Sequence, residues 1–170
     1  EFGGWAPPIG IEWVVDGLSG ILMVAISIVS LITLVHAGPL VKKELSDRVI
    51  PFYSLSLLLV AALGGMVLTG DLFNLFVFLE IGSLASYVLV GVAGGRSLHS
   101  AFRYLILGTI GASLYLLGVG YLYAETGTLN MADLAQRLPE VIDSRAVLTG
   151  LLFIVLGLAI KMGLFPLHGW

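Results

Sequence analysis

Two ionisable side chains stand inside long apolar runs of this chain, where a charge has no water to hold it. Glu80 lies near the middle of LFVFLEIGSLASYVLV, residues 75–90, and Lys161 lies in GLLFIVLGLAIKMGLFPLHGW. A charge at the centre of a bilayer costs about 2.5 to 3.5 kcal/mol on insertion scales, so those that persist face a protein interior, a partner or water. Glu80 comes nine residues after Asp71, about 13 Å along a helix, and Lys161 is comparably deep. Neither reaches an interface comfortably by snorkelling. Apolar surroundings disfavour both charges and mutual proximity restores them, so a Glu–Lys pair has two accessible states and titrates as a unit. The chemistry this suggests is proton transfer. A static ion pair that fixes helix orientation is the alternative.

The neighbouring residues favour the first reading. Ser83 and Tyr87 follow Glu80 by three and seven residues, on the same helical face, and can hold water or relay hydrogen bonds. Gly163 and Pro166 interrupt the helix just beyond Lys161; the proline ring opposes the carbonyl of Met162. A broken helix beside a buried charge recurs along ion paths. His168, past the break, is a candidate relay at ordinary pH, whereas His36 and His99 fall at span ends and read as loop or interface groups. The chain has no Cys, which removes disulfides, thiolate catalysis and iron–sulfur ligation, and no G-x-G-x-x-G follows a strand. The expectation is no cofactor and no resident metal. Asp71, Asn74 and Ser83 offer oxygen ligands for sodium, but they spread over more than two turns and need residues from other helices to converge. Tyr115, Tyr121 and Tyr123 scatter along one span without forming an evident quinone pocket.

These residues need helices to carry them. Of 170 residues, 58% are hydrophobic and 11% charged, with a mean hydropathy of +1.05, against about 25% charged in soluble domains. The fold class expected is all-α, a polytopic transmembrane bundle. A net charge of -3 carries no nucleic-acid footprint. With about 20 apolar residues per crossing and charged clusters as rulers, five spans emerge, at about 14–37, 50–69, 72–92, 101–124 and 146–170, the last a broken helix. Gly38 and Pro39 are expected to end the first. Residues 1–13 form an extracytoplasmic N-terminal segment, and 14–170 the membrane domain. A short amphipathic surface helix is expected at about 130–138, with Thr128 or Asn130 as N-cap, Leu134 and Leu138 on one face and Pro139 as its end.

Basic residues accumulate in short cytoplasmic loops. Lys42, Lys43 and Arg48 follow the first span, and Arg96 and Arg103 flank the loop after the third, while the connections around Asp71 and from Glu125 to Arg145 are acidic or balanced. This alternation puts the N-terminus outside and the C-terminal end at the cytoplasmic face of the cell membrane. Ala61 with Gly65, Gly108 with Ala112, and Gly111 with Gly118 are small-residue notches that read as helix packing. The first residue is Glu and the last residues stop inside an apolar segment, as expected of a piece of a longer chain.

Three stretches, TGDLFNLFVFLEIGSLASYVLVG, AFRYLILGTIGASLYLLGVGYLYAETGTLNMADLAQRL and LAIKMGLFPLHGW, together resemble the antiporter-like proton-translocating membrane subunits. That family comprises the D and A subunits of Mrp-type sodium/proton antiporters, their counterparts in membrane-bound hydrogenases, and the three large antiporter-like subunits of respiratory complex I. The likeness runs from IEWVVDGLSGIL onward, and GDLFNLFVFLE with GTLNMADLA looks most like the Mrp D subunit or its hydrogenase counterpart. The resemblance implies that Glu80 is the glutamate of the family's fifth helix and Lys161 the lysine of its broken seventh, together the proton-transfer pair. It further implies that the five spans are the family's third to seventh helices, and that they hold most of the first of its two inverted five-helix repeats without that repeat's last helix. An LPDAH-like continuation after PLHGW and the second lysine or glutamate set are lacking, so the chain would supply the input half of a path.

The function expected is a proton-translocating subunit of a multisubunit cation/proton antiporter. Its partners are other membrane subunits, the lipid bilayer and protons, with sodium a second candidate ion. An antiporter-like subunit of a redox-driven pump (a membrane-bound hydrogenase or NADH:quinone oxidoreductase) is the alternative, and a structural membrane anchor with a static ion pair is the competing class. Protons would enter from the cytoplasmic side, reach Lys161 through water and His168, and move on when the Glu80 interaction changes.

Overall fold

A computed structural model describes residues 4–169 of the chain; residues 1–3 and 170, the outer ends of the expected N-terminal segment and last span, lie outside the described residues. The elements are α1 (Gly17–Glu44), a 3-10 turn (Ser46–Arg48), α2 (Val49–Leu68), α3 (Leu72–Gly91), α4 (Arg96–Thr126), α5 (Met131–Val141) and α6 (Arg145–Lys161). Among the described residues no β-strand forms, and the fold is an all-α bundle of membrane helices. Four of them, α1, α2 with its leading 3-10 turn, α3 and α4, are long and apolar enough to cross a membrane. The fifth expected span corresponds to α6, whose 17 residues stop at Lys161 and give way to turns.

Each boundary has a local cause. Asp16 opens α1 through a capping box: its carboxylate accepts from Ser19 N–H at 2.7 Å, and the Ser19 hydroxyl accepts from Asp16 N–H at 2.7 Å. Two prolines behave otherwise than expected. α1 runs through Gly38 and Pro39 to Glu44, and α5 runs through Pro139 to Val141. A proline inside a helix removes one i to i−4 hydrogen bond, and in both places the helix persists past the gap rather than ending there. Asn130, not Thr128, is the N-cap of α5; its Oδ1 accepts from the N–H groups of Ala132 and Asp133, both at 3.0 Å.

The chain forms two compact units. The first comprises Glu1–Val14, Thr69–Val77 and Ile106–Trp170, and the second Val15–Leu68 and Phe78–Leu105. In the second unit α2 leans on α1, where the Tyr53 hydroxyl donates to the Leu34 carbonyl at 3.3 Å. The segment of α3 in this unit meets α2 through small residues. Gly65 leaves the space that the Phe78 ring fills, and a Cβ on Gly82 would lie 3.3 Å from that of Ala62. Most of α1 is bare of protein, with Leu18, Ile21, Val24, Ile28, Leu31 and Val35 exposed, a surface fit for lipid or further helices.

The first unit is built on the crossing of α4 and α6. Its core holds Leu122, Leu134 and Val147, with Leu72, Leu138 and Ile154 packed against them. Leu134 and Leu138 thus turn one face of α5 onto the core, as their four-residue spacing requires. Tyr115 is buried in the same unit, stacked on Phe76 at 6.5 Å between centroids, and gives its hydroxyl proton to the Leu72 carbonyl at 3.1 Å.

Candidate functional site

Glu80 belongs to the second unit and Lys161 to the first, and each is best understood from its own surroundings. On α3, Phe78 and Gly82 are four residues apart and mark the face that packs on α2. Glu80 lies between them, about 200° around the helix from each at 100° per residue. It therefore projects on the opposite face, where it is half-buried. Ser83 and Tyr87 share that face.

Tyr87 is only 5% exposed, and its ring meets that of Tyr104 edge to face with centroids 4.6 Å apart. Its hydroxyl is within electrostatic reach of Ser83 and Glu80 yet has no hydrogen-bond partner of good geometry among the described residues. The Ser86 hydroxyl, nearby, turns back on the Gly82 carbonyl at 2.8 Å. The Glu80 face of this unit is thus a polar stripe of a carboxylate and hydroxyls within an otherwise apolar helix.

Lys161 is the last residue of α6 and half-buried. Beyond it the chain makes a Schellman turn: Leu164 N–H bonds the Ala159 carbonyl at 2.9 Å and Gly163 N–H the Ile160 carbonyl at 3.2 Å, with Gly163 at φ +63. This pairing satisfies carbonyls that a helix end would leave open at membrane depth. An ammonium in the last turn also lies against the negative end of the helix macrodipole. Lys161 follows Gly157 by one turn, so its stem rises from the face of α6 that packs on α4. His168 is exposed in the turns beyond, its ring 5.4 Å from that of Phe165. His36 and His99 are exposed as well.

A second polar cluster closes one end of the first unit. Thr69, Asp71, Thr128 and Asn130 are all buried. Asp71 Oδ1 accepts from Asn74 N–H at 2.7 Å and so caps α3, the Asn74 amide donates to Thr69 Oγ1 at 3.0 Å, and the Asn130 amide donates to Glu12 Oε1 at 2.7 Å. Gly70 accommodates the crossing N-terminal segment: its N–H bonds the Glu12 carbonyl at 3.2 Å, and a Cβ there would strike Val14 Cγ2 at 2.8 Å. Arg137 grips Asp133 with two nitrogens, both at 2.9 Å, and bonds the Thr126 carbonyl at 3.0 Å. That guanidinium, helped by Thr128, holds the Asp133 carboxyl below its ordinary value. Asp71 and Asn74 do come together, with Thr69 as their third member. Among the described residues no group of three or more His, Asp or Glu side chains converges as a metal site.

Sequence reasoning missed the counterpart of the glycine notch on α4. Gly150 and Gly157 of α6 oppose Gly118 and Gly111; the shared spacing of seven residues was the available signal. It also missed Tyr104 beside Tyr87 and Glu12 beside Asn130. The tyrosines considered for a quinone divide into buried Tyr115, committed to Leu72, and exposed Tyr121 and Tyr123.

Residues 69–170 match the family model described as NADH:quinone oxidoreductase/Mrp antiporter, TM. The chain is 58% identical over 167 residues to the N subunit of the NADH-quinone oxidoreductase of Desulforudis audaxviator, covering 98% of this chain and 33% of that protein. It is 38% identical over 173 residues to the D subunit of the Na(+)/H(+) antiporter of Alkalihalophilus pseudofirmus, covering 100% of this chain and 34% of that one. Among solved structures it is similar to a chain of the membrane-bound sulfane sulfur reductase, an archaeal respiratory membrane complex, with a TM-score of 0.87 and 40% identity over 99% of this chain and 34% of the other. The chain spans about a third of the length of these relatives.

Proposed function

Because the chain belongs to the NADH:quinone oxidoreductase/Mrp antiporter transmembrane family, we propose that it forms the proton-handling part of an antiporter-like subunit within a multisubunit membrane complex. The relatives are named as N and D subunits and as part of a respiratory membrane complex, which supports membrane subunits as its partners. The observation that carries the reading is Lys161: an ammonium on the final residue of a helix that ends in a Schellman turn, within an apolar segment.

Lys161 is the group that takes up and releases the proton, and Glu80 is the carboxylate whose charge governs that exchange. Ser83 and Tyr87 line the approach on the Glu80 side, and His168 is the relay on the other. The basic side chains Lys42, Lys43, Arg48, Arg96 and Arg103 set those connections at the cytoplasmic face, with the N-terminal segment outside. Movement of sodium or electrons in partner subunits drives the cycle by shifting charge along a row of such pairs. A redox-driven host is the reading favoured by the 58% identity to a quinone oxidoreductase subunit, against 38% to an antiporter subunit. The antiporter host remains the second.

The test replaces Glu80→Gln and Lys161→Met in the full-length subunit within its complex. Both variants are expected to assemble and to lose proton-coupled transport in sealed vesicles. Transport at the wild-type rate in both would reject the relay and leave the static anchor.

A further inference from the structure

The second unit contains a cavity of about 570 Å³ bounded by α2, α3 and the beginning of α4, within the range of about 300–1,000 Å³ typical of ligand sites. Its walls are apolar almost throughout, with Leu55, Leu84, Val88 and Phe102 among them. The exception is Arg48, at the end where α2 begins and α3 finishes. Its guanidinium donates to the Val92 carbonyl, which engages one of its five N–H groups, and the side chain is part of the cavity lining. Tyr87 also lines this space, buried and with a hydroxyl that lacks a hydrogen-bond partner of good geometry among the described residues.

The charge around that end is of one prevailing sign. Lys42 and Lys43 stand in the last turn of α1 and Arg96 opens α4, all exposed, against the acids Glu44 and Asp47. A long apolar space closed at one end by an arginine suits neither a sugar nor a nucleotide, whose polar groups would be buried unpaired. It suits an amphiphile with a negative head. Basic pockets between membrane helices are the usual seats of anionic lipid headgroups.

We propose that this cavity holds an anionic phospholipid, its phosphate on Arg48 and an acyl chain along Leu55, Leu84 and Phe102. The lipid fills a gap that would otherwise cost packing between three helices and gives the Arg48 fork a counter-charge.

The test uses the full-length subunit in its complex, delipidated in detergent and then supplied with phosphatidylglycerol or phosphatidylcholine, with retained lipid read by native mass spectrometry and stability by thermal midpoint. Wild type is expected to retain phosphatidylglycerol preferentially and to gain stability from it. Arg48→Gln is expected to weaken retention about fivefold, the equivalent of ~1 kcal/mol for one basic side chain, and Leu84→Trp to abolish it by filling the space. Equal retention of the two lipids by wild type, or a stability gain from inorganic phosphate alone, overturns the proposal. So does undiminished phosphatidylglycerol retention by both variants, and because wild type alone can decide, a variant that fails to assemble does not rescue it.

Discussion

Gly118 of α4 and Gly150 of α6 touch backbone to backbone: a Cβ on Gly118 would stand 2.5 Å from the Gly150 carbonyl oxygen, and one on Gly150 would stand 3.0 Å from that of Gly118. Two turns along, Gly111 and Gly157 repeat the contact in the antiparallel sense. A Cβ on Gly157 would lie 2.5 Å from the Gly111 carbonyl oxygen and 2.7 Å from the Tyr115 nitrogen. In lipid, where apolar side chains gain nothing by leaving the solvent, such close backbone approach is what binds helices.

Gly118→Ala should therefore destabilise the protein by about 1–3 kcal/mol, the cost of overpacking, because the obstructing atoms are backbone and cannot swing aside. Gly120→Ala, two residues on in the same helix with nothing within 4 Å of its Cβ position, should be neutral or stabilise by up to about 1 kcal/mol from helix propensity. Thermal midpoints of the two variants in detergent decide the matter. Equal midpoints would mean that the α4–α6 seam is not under this constraint.

Asn130 joins two parts of the first unit that are 118 residues apart in sequence, capping α5 and donating to Glu12. Asn130→Ala should cost about 0.5–2 kcal/mol for the cap and more for the deserted Glu12 carboxylate. Asn130→Asp keeps the cap but sets two carboxylates together. Combining it with Glu12→Gln, which restores a donor and an acceptor, should recover most of the loss in a double-mutant cycle of thermal midpoints. Additive losses would show that the contact is not formed.

The position of Lys161 depends on Gly163, whose φ of +63 costs an L-residue roughly 1–2 kcal/mol. Gly163→Val should lower stability by about that amount and depress proton-coupled transport in vesicles. Gly163→Asn should retain more of both, since Asn tolerates the left-handed conformation. Wild-type transport by the valine variant would separate the helix break from proton handling.

The sequence makes legible what depends on composition and on position along one helix. Glu80 and Lys161 stand out because few charges interrupt the apolar runs, and Asp71, Asn130 and Gly163 announce helix ends by their residue type. Pro39 and Pro139 mislead because a proline looks the same whether the helix ends there or absorbs one lost hydrogen bond. The glycine seam and the bond between Glu12 and Asn130 were hidden for another reason. They require knowing which helices are neighbours; Gly150 and Gly157 share the seven-residue spacing of Gly111 and Gly118, but a matching spacing does not say that the two helices meet. Arg48 looked like an orienting loop charge, and only the assembly of α2, α3 and α4 around it reveals the apolar cavity it borders.

The pair of Asp133 and Arg137 gives the first unit an acid limit whose sign can be worked out. Arg137 holds the folded-state value of Asp133 below the ordinary 3.8, chiefly through its hydrogen bonds, with Thr128 assisting. A carboxyl whose value is depressed on folding contributes stability that is fully present above its unfolded value and lost as pH falls through the folded one. Removing the charge in Asp133→Asn should therefore lower the thermal midpoint by a constant amount from neutral pH down to about pH 5, above the unfolded range of the carboxyl. Below 3.8 the gap between wild type and variant should close, since protonated Asp133 no longer offers Arg137 a charge. The same grip ties α5 to the end of α4 through the Arg137 bond to the Thr126 carbonyl, so amide exchange at the start of α5 should quicken in the variant at neutral pH. A gap that widens toward acid would reverse the sign and show that the carboxyl is not held ionised by its neighbour.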